Sequence, residues 1–400
     1  HERLVGSEMC IRDRIKAAFE MNDDGYAFIV NIFLICYAVM YPISGILVDR
    51  FGPKKVMFLG ILAWSAACIG GGLSTNMEQF AFFRELLGLA EPTIFAGQIV
   101  AVTVWFEKRQ RATANSLCTA GGSIGTVVAP IVIAWLSTIF PWNDVFVLAG
   151  AIGILIAIVW MAVYADPPKE ILDVTLSESA ANRHHGKAFT WGGLWKTRTL
   201  WGVLLIRFVS DPVWYFCLFW LPGYLQEDSG LTLIQVGWVG WIPFLFGAVG
   251  GVLTSAWSDK MVRRGMDPLR ARKRMMTLVA VAAPLCIFTP YFNALPPYWN
   301  VAAIIASFSL IAIMCLSWLY TICVVIAEAF PVRNVASVVG ITAGFGAVGG
   351  AIFNYYVGQL LSTMGPSLFL VMGVLHWIAV VILWKMTRPE IPQEKQAVQK

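Results

Sequence analysis

The chain has 400 residues, 58% apolar and 13% charged, with a net charge of +5 and a mean hydropathy of +0.70. Globular domains run near a quarter charged. This composition therefore excludes an ordinary soluble protein and predicts an all-α polytopic membrane protein.

Hydrophobic runs of about 20 residues bounded by charge or turn clusters read as membrane spans. Eleven are present, at roughly 26–48, 56–74, 78–106, 112–138, 144–164, 200–225, 231–257, 275–293, 300–328, 335–362 and 367–386. Of 29 Lys and Arg, four lie in the first 16 residues, and Arg84 and Arg207 lie inside spans. All the others fall in alternate connections: Arg50 to Lys55, Lys108 to Arg111, Lys169 to Arg198, Lys260 to Arg274, Arg333, and the tail from Lys385. The positive-inside rule makes these connections cytoplasmic and places the C-terminus inside.

The opening HERLVGSEMCIRDR at 1–14 has neither a signal peptide's apolar core nor a span. It resembles translated sequencing-adapter read-through and is read as artefactual. Eleven spans with an internal C-terminus put the N-terminus outside, so a first span is expected to be missing; the alternative is a genuine short external tail.

Tyr37 lies mid-span, where a buried phenol needs a partner; a neighbouring side chain or a polar ligand can serve. The connection GILVDRFGPKK at 45–55 joins two spans. In it Gly45 and Gly52 allow close helix approach, Asp49 can face a helix N-terminus, and Arg50, Lys54 and Lys55 face the cytoplasm. The span FRELLGLAEPTIFAGQIVAVTVWF at 83–106 carries Arg84, Glu85 and Glu91. Ionisable groups at membrane depth are expensive and usually mark an ion or substrate path. Arg84 and Glu91 are seven residues apart, which places them on one helical face about 10 Å apart along the axis. A buried cation and a titratable acid on one face suit an anion carrier driven by protons; the alternative is a charge pair that only locks helix packing. Further along, the TAGGSIG run at 119–125, containing Thr119, reads mainly as a close-packing face.

Residues 166–198 form the longest hydrophilic connection and read as a central cytoplasmic linker. It separates an N-terminal bundle at 15–165 from a C-terminal bundle at 199–388, with a cytoplasmic tail at 389–400. The second half opens with RFVSDPVWYFCLFWLPGYL at 207–225. Arg207 and Asp211 are one turn apart and can pair, which favours a structural role. Pro212 and Pro222 break the backbone ladder, and Trp214 and Tyr215 are placed to stack on a sugar ring or line its cavity. SAWSDKMVRRG at 255–265 echoes the first loop through Asp259, Arg263 and Arg264. Ser317, Trp318, Tyr320 and Thr321 are polar or aromatic groups in an apolar span that ends at Glu328, and GITAGFGAVGG at 340–350 is another close-packing face. Seven cysteines sit inside spans, and none of the eight forms CxxC, so no metal or disulfide framework is expected. No Walker loop, GxSxG or HExxH appears, so the chain is read as a non-enzyme.

The two loop signatures resemble those of the major facilitator superfamily. R-x-L-L-G-L-x-E at 84–91, W-F-x-K-R-x-R-A-T-A at 105–114, D-P-V-W-x-F-x-L-F-W-L-P-x-Y-L at 211–225 and F-P-x-R-x-x-x-S-V-V-G at 330–340 resemble its anion:cation symporter branch. The likeness is greatest to the hexuronate, galactonate and glucarate transporters. It implies the major facilitator fold, two helical bundles of six spans each, with eleven of the twelve spans present. It also implies that Glu91 exchanges the coupling proton and Arg84 tunes it. Contact with the sugar acid is assigned to Tyr37 and polar groups of later spans, with Thr119, Trp214, Tyr215, Trp318, Tyr320 and Thr321 as candidates. Pro92, Thr93 and Ile94 depart from the Ala-Gly-Asn usual after the acid, and Thr119 and Thr321 stand where Asn is frequent.

The function expected is proton-coupled import of a small organic anion, a hexuronate or related sugar acid, by alternating access. Burial and a neighbouring cation act on a carboxyl's proton affinity in opposite senses, which poises Glu91 to load outside and release inside. The expected partners are the sugar acid, H⁺ and the bilayer, with no nucleic acid, no cofactor, Na⁺ as an open substitute for H⁺, and a monomer in a bacterial inner membrane. An exporter of hydrophobic compounds and a non-transporting sensor are the rival readings.

Overall fold

The computed structural model describes residues 15, 18–21, 23–165, 167–168, 189–227, 233–296, 298–364 and 367–390. Residues 1–14, most of the central linker and the tail beyond 390 lie outside these. Among the described residues the secondary structure is helical throughout. The chain divides into two compact units, one of His1–Gln98 with Gly125–Asp166, the other of Ile99–Ile124 with Pro167–Lys400. The stretch 99–124, which the sequence reading places in the first bundle, thus groups with the second unit.

The first unit contains α1 (Asp23–Phe51), α2 (Pro53–Leu73), α3 (Met77–Ala90), the start of α4 (Pro92–Trp105), the later part of α5 (Arg111–Ile139) and α6 (Trp142–Val163). Its core joins Ile15, Met21, Ile29, Phe80 and Ala81, flanked by Phe19, Trp142 and Phe146. Asn76 caps α3 by accepting from the Gln79 amide at 2.9 Å. On α6, Leu155, Ile158 and Val163 are all more than half exposed. A continuous apolar surface of this kind suits lipid rather than water.

The second unit contains α7 (Trp191–Leu194), α8 (Arg198–Glu227), α9 (Leu233–Val239), α10 (Ile242–Arg263), α11 (Pro268–Ala280), a 3₁₀ helix (Ala283–Ala294), α12 (Trp299–Ala329), α13 (Val332–Met364) and α14 (Ser367–Met386). Its centre is α12, which is buried over most of its length. α10, α11 and the 3₁₀ helix pack on α12, and α13 and α14 pack on α8.

Nine helical segments among the described residues are long and apolar enough to cross a bilayer. They coincide with all the expected spans except 112–138 and 231–257, which are also helical. Three spans expected to be single helices are broken, and proline accounts for each break. Pro92 cannot donate to the Gly88 carbonyl, so 78–106 becomes α3 and α4 with Glu91 at the turn. Pro243 follows the interruption between α9 and α10, and Pro284 and Pro290 accompany the change to 3₁₀ geometry after α11.

Candidate functional site

In the first unit the break at Glu91 organises its surroundings. Ser44 Oγ donates to the Pro92 carbonyl at 3.3 Å, and Thr93 Oγ1 donates to the Ala90 carbonyl at 2.7 Å. These hydroxyls occupy carbonyls where the proline interrupts the ladder. The α1 face that meets this break carries the pair Tyr37 and Tyr41, whose hydroxyls are 3.1 Å apart and whose rings meet edge-on at 4.8 Å. Tyr41 in turn meets Phe95 at 6.0 Å. Half-buried Arg84 places its guanidinium 5.2 Å from the Phe80 ring and 5.3 Å from Phe146. Both rings lie within cation–π distance, and with their centroids 5.9 Å apart they sit together on one side of the guanidinium. Glu91, also half-buried, lies within electrostatic reach of Arg84.

The stretch at 45–55 spans the end of α1 and the start of α2. Gly52 takes φ +82°, a conformation open to glycine, and lets Pro53 begin α2. Gly45 is buried and Asp49 half-buried. Arg50 is exposed and lies 5.2 Å over the Phe51 ring. Lys55 is exposed too, while the Lys54 carbonyl accepts from Trp160 Nε1 at 3.1 Å.

The echo of this loop in the second unit is the centre of a buried charge network. Asp259 Oδ2 accepts from the Thr113 amide at 2.8 Å and its hydroxyl at 2.5 Å, while Oδ1 pairs with Arg272 Nη1 at 2.7 Å. Arg272 also pairs with Glu328 Oε1 at 3.1 Å and donates to Ser258 Oγ at 2.9 Å and the Lys108 carbonyl at 2.5 Å. The three charged side chains are 0–3% exposed. Arg263 and Arg264 stay exposed at the end of α10. Sequence reasoning missed Arg272 because it sits in the charged run RARKR. The available signal was its spacing: Leu269, Arg272 and Met276 fall at i, i+3 and i+7 on one face, and all three are buried.

The remaining candidates separate into two groups. Trp214 packs against the cluster of Ala120, Ala248, Leu316 and Tyr320. The Tyr320 hydroxyl lies 3.0 Å from Ser123 Oγ, and the Tyr320 carbonyl accepts from Asn115 Nδ2 at 2.8 Å. Thr119 Oγ1 donates to the Asn115 carbonyl at 2.9 Å. Thr119, Trp214 and Tyr320 are thereby brought together. Trp318 is two residues from Tyr320 and therefore faces elsewhere on α12. Buried, it donates from Nε1 to the Met276 carbonyl at 3.0 Å and meets the His376 ring at 5.3 Å. Thr321 is fully buried, and its hydroxyl has no hydrogen-bond partner among the described residues. Tyr215 lies beside Gly350, in the same α8 segment as the Arg207–Asp211 pair, which closes at 2.8 Å.

A fold of apolar helices long enough to cross a bilayer, with ionisable groups inside them, defines the class of polytopic membrane proteins. The sequence profile of the Major Facilitator Superfamily matches residues 14–324, and the chain belongs to that superfamily, whose members are transporters rather than enzymes. It is 30% identical over 254 residues to the probable L-galactonate transporter of Escherichia coli, a match spanning 61% of this chain and 55% of that protein. It is 25% identical over 374 residues to the hexuronate transporter of Escherichia coli, spanning 90% of this chain and 84% of that one. The galacturonate transporter of Dickeya chrysanthemi is 27% identical over 248 residues, 60% of this chain and 72% of its own. Among solved structures, the proton:xylose symporter XylE superposes with a TM-score of 0.73 at 13% identity, covering 94% of this chain and 90% of that one. That likeness establishes the fold.

Proposed function

We propose that the protein is a proton-coupled symporter that imports a small organic anion, a hexuronate or related sugar acid, across a bacterial inner membrane by alternating access, with its C-terminus in the cytoplasm. The observation that carries this reading is the arrangement around Glu91. A carboxyl at a helix break in a membrane span, in the field of an arginine held against two aromatic rings, suits a proton-exchanging group with a cation close by. The named activities of the sugar-acid relatives support the substrate class, and the symport named for XylE supports the coupling.

In this mechanism Glu91 takes a proton when its surroundings open outward, and the anion enters on the same face. Glu91 returns the proton inside. Arg84 offers charge for the substrate carboxylate, or for Glu91 once it is ionised, so that each stage leaves one compensated charge. Within the first unit Tyr37, and within the second unit the Thr119–Trp214–Tyr320 group, are each candidates for hydroxyl and ring contacts to the polyol. The test is uptake of labelled galacturonate, galactonate and glucarate into proteoliposomes. An inside-alkaline pH gradient is expected to drive accumulation, and Glu91→Gln to abolish accumulation while sparing counterflow exchange. Accumulation driven by a Na⁺ gradient alone, or undiminished in Glu91→Gln, would refute the coupling.

A further inference from the structure

The exposed side of α11 and of the 3₁₀ helix that follows it carries a feature that the transport reading does not use. Arg270, Arg274, Leu278, Val281, Leu285 and Phe288 follow one another at intervals of three or four residues and are all exposed. The four apolar members, at 49–61% exposure, form a lipid-facing strip that ends on the exposed Tyr291. Two arginines therefore stand at one end of an apolar stripe and a tyrosine at the other, the order that a headgroup region, an acyl region and an opposite interface require.

The neighbouring helix α14 packs against α11 beside this stripe. Trp384 Nε1 donates to Thr277 Oγ1 at 2.8 Å, and Trp377 Nε1 donates to the Ala280 carbonyl at 3.0 Å. These bonds fix two exposed indoles beside the stripe. Lys385 is exposed next to Trp384. Buried Lys273 is already engaged, donating to the Thr387 carbonyl and lying 5.4 Å from the Trp384 ring. The nearby acids are engaged too. Asp267 caps α11 by accepting from the Arg270 amide at 2.9 Å, and buried Glu390 accepts from the Thr199 hydroxyl at 2.7 Å. Arg270, Arg274 and Lys385 have no carboxylate partner among the described residues. Arg274, one turn before Thr277, and Lys385, adjacent to Trp384, thus bring cations without a carboxylate ion pair to this indole and the apolar strip.

We propose that the seam where α14 meets α11 and the following 3₁₀ helix binds an anionic phospholipid, its phosphate held by Arg270, Arg274 and Lys385 and an acyl chain lying along Leu278, Val281 and Leu285. Guanidinium forks match phosphate oxygens, and basic pockets on the cytoplasmic side of helices select anionic headgroups. The inference rests on the membrane-spanning fold and not on the proposed transport, so it stands or falls independently of uptake.

The test uses the full chain in nanodiscs whose lipid is brominated on the acyl chain, with either a phosphatidylglycerol or a phosphatidylcholine headgroup. The quenching owed to Trp384 is obtained by difference from Trp384→Phe. Phosphatidylglycerol is expected to quench this component at a lower mole fraction, by about fivefold for each cation. Arg270→Gln/Arg274→Gln/Lys385→Gln should abolish the preference, and Arg270→Lys/Arg274→Lys should largely keep it. Native mass spectrometry of the same samples should show phosphatidylglycerol retained by the parent and lost from the triple Gln variant, a readout independent of the tryptophan change. Equal quenching by the two headgroups, or a preference that survives the triple Gln variant, would overturn the proposal. Displacement by free inorganic phosphate would also overturn it, by showing an anion site rather than a lipid site.

Discussion

Adding a single methyl group at Gly346 should break the buried ion pair of the second unit. A Cβ there would stand 2.0 Å from Asp211 Oδ2 and 3.0 Å from Arg207 Nε. Normal contact needs about 3.4 Å, so the carboxylate must retreat by more than an ångström. It is held 2.8 Å from Arg207 Nη2 with both side chains 9% exposed, and the guanidinium cannot follow because it borders the same point. Disrupting a buried pair costs about 3–5 kcal/mol and overpacking about 1–3 kcal/mol. These overlap, so a loss of about 3 kcal/mol is expected, or roughly 6–12 °C in Tm for a unit of this size. Fluorescence-monitored melting in detergent measures it, with Gly121→Ala as control because nothing lies within 4 Å of its added Cβ. In an Asp211→Ala background the cost of Gly346→Ala should fall below about 1 kcal/mol, since the Asp211 carboxylate is gone and only Arg207 Nε, at 3.0 Å on a long side chain, has to give. A Tm within about 2 °C of the parent, or an equal cost in both backgrounds, would refute the argument.

Arg272→Gln would leave Asp259 and Glu328 buried without their cation, a loss of about 3–5 kcal/mol that should appear as low yield and early melting; a normal melt would show that water replaces the guanidinium. Arg84→Leu keeps the fit against Phe80 and Phe146 but removes the charge, so it should lower affinity for the sugar acid at least about tenfold in ligand-protection assays; unchanged affinity would remove Arg84 from recognition. Trp318→Phe should cost about 1 kcal/mol for the hydrogen bond lost to the Met276 carbonyl and leave substrate preference alone, whereas Tyr320→Phe, beside Trp214 and Ser123, should alter preference. The reverse ranking would move the binding face to the other side of α12. Asp49→Ala should shift the balance of inward and outward accessibility in cysteine-labelling experiments and spare ligand selectivity; identical labelling fractions would rule out a conformational role for the loop.

What could be read from the sequence depended on the range of the interaction. The Arg207–Asp211 pair was legible because both partners lie on one helix, where i and i+4 must be neighbours. Residues two apart were less well served: Trp318 and Tyr320 were grouped by chemistry, yet a helix turns about 200° between them, and they pack on different neighbours. The break at Glu91 was half legible. Pro92 was visible as a departure after the acid, but apolar continuity outweighed it and the stretch was read as one helix. The Ser44 and Thr93 bonds that make the break tolerable come partly from a different helix.

Two features of RARKR at 270–274 show why positional context decides the role of a charge. A basic run at a cytoplasmic connection reads as solvated, and by count it satisfies the positive-inside rule. Helical geometry divides its members among several environments. Arg272 faces inward with Leu269 and Met276, where Asp259 and Glu328 are also buried. Two acids in a low-dielectric interior without a cation would repel each other and lose their solvation, so this arginine completes the network. Lys273 faces α14 and engages its C-terminal backbone. Arg270 and Arg274 are exposed and form no ion pair with a carboxylate among the described residues, although Asp267 caps the helix one turn before Arg270. Equivalent letters in one short run therefore serve a buried network, a helix–helix contact and an exposed surface. Exchanging the two arginine environments tests this division: Arg272→Lys should fail to bridge Asp259, Glu328 and the Lys108 carbonyl together and should melt early, whereas Arg274→Lys should be neutral to stability. Equal tolerance of both substitutions would show that the network needs only a positive charge and not the guanidinium fork.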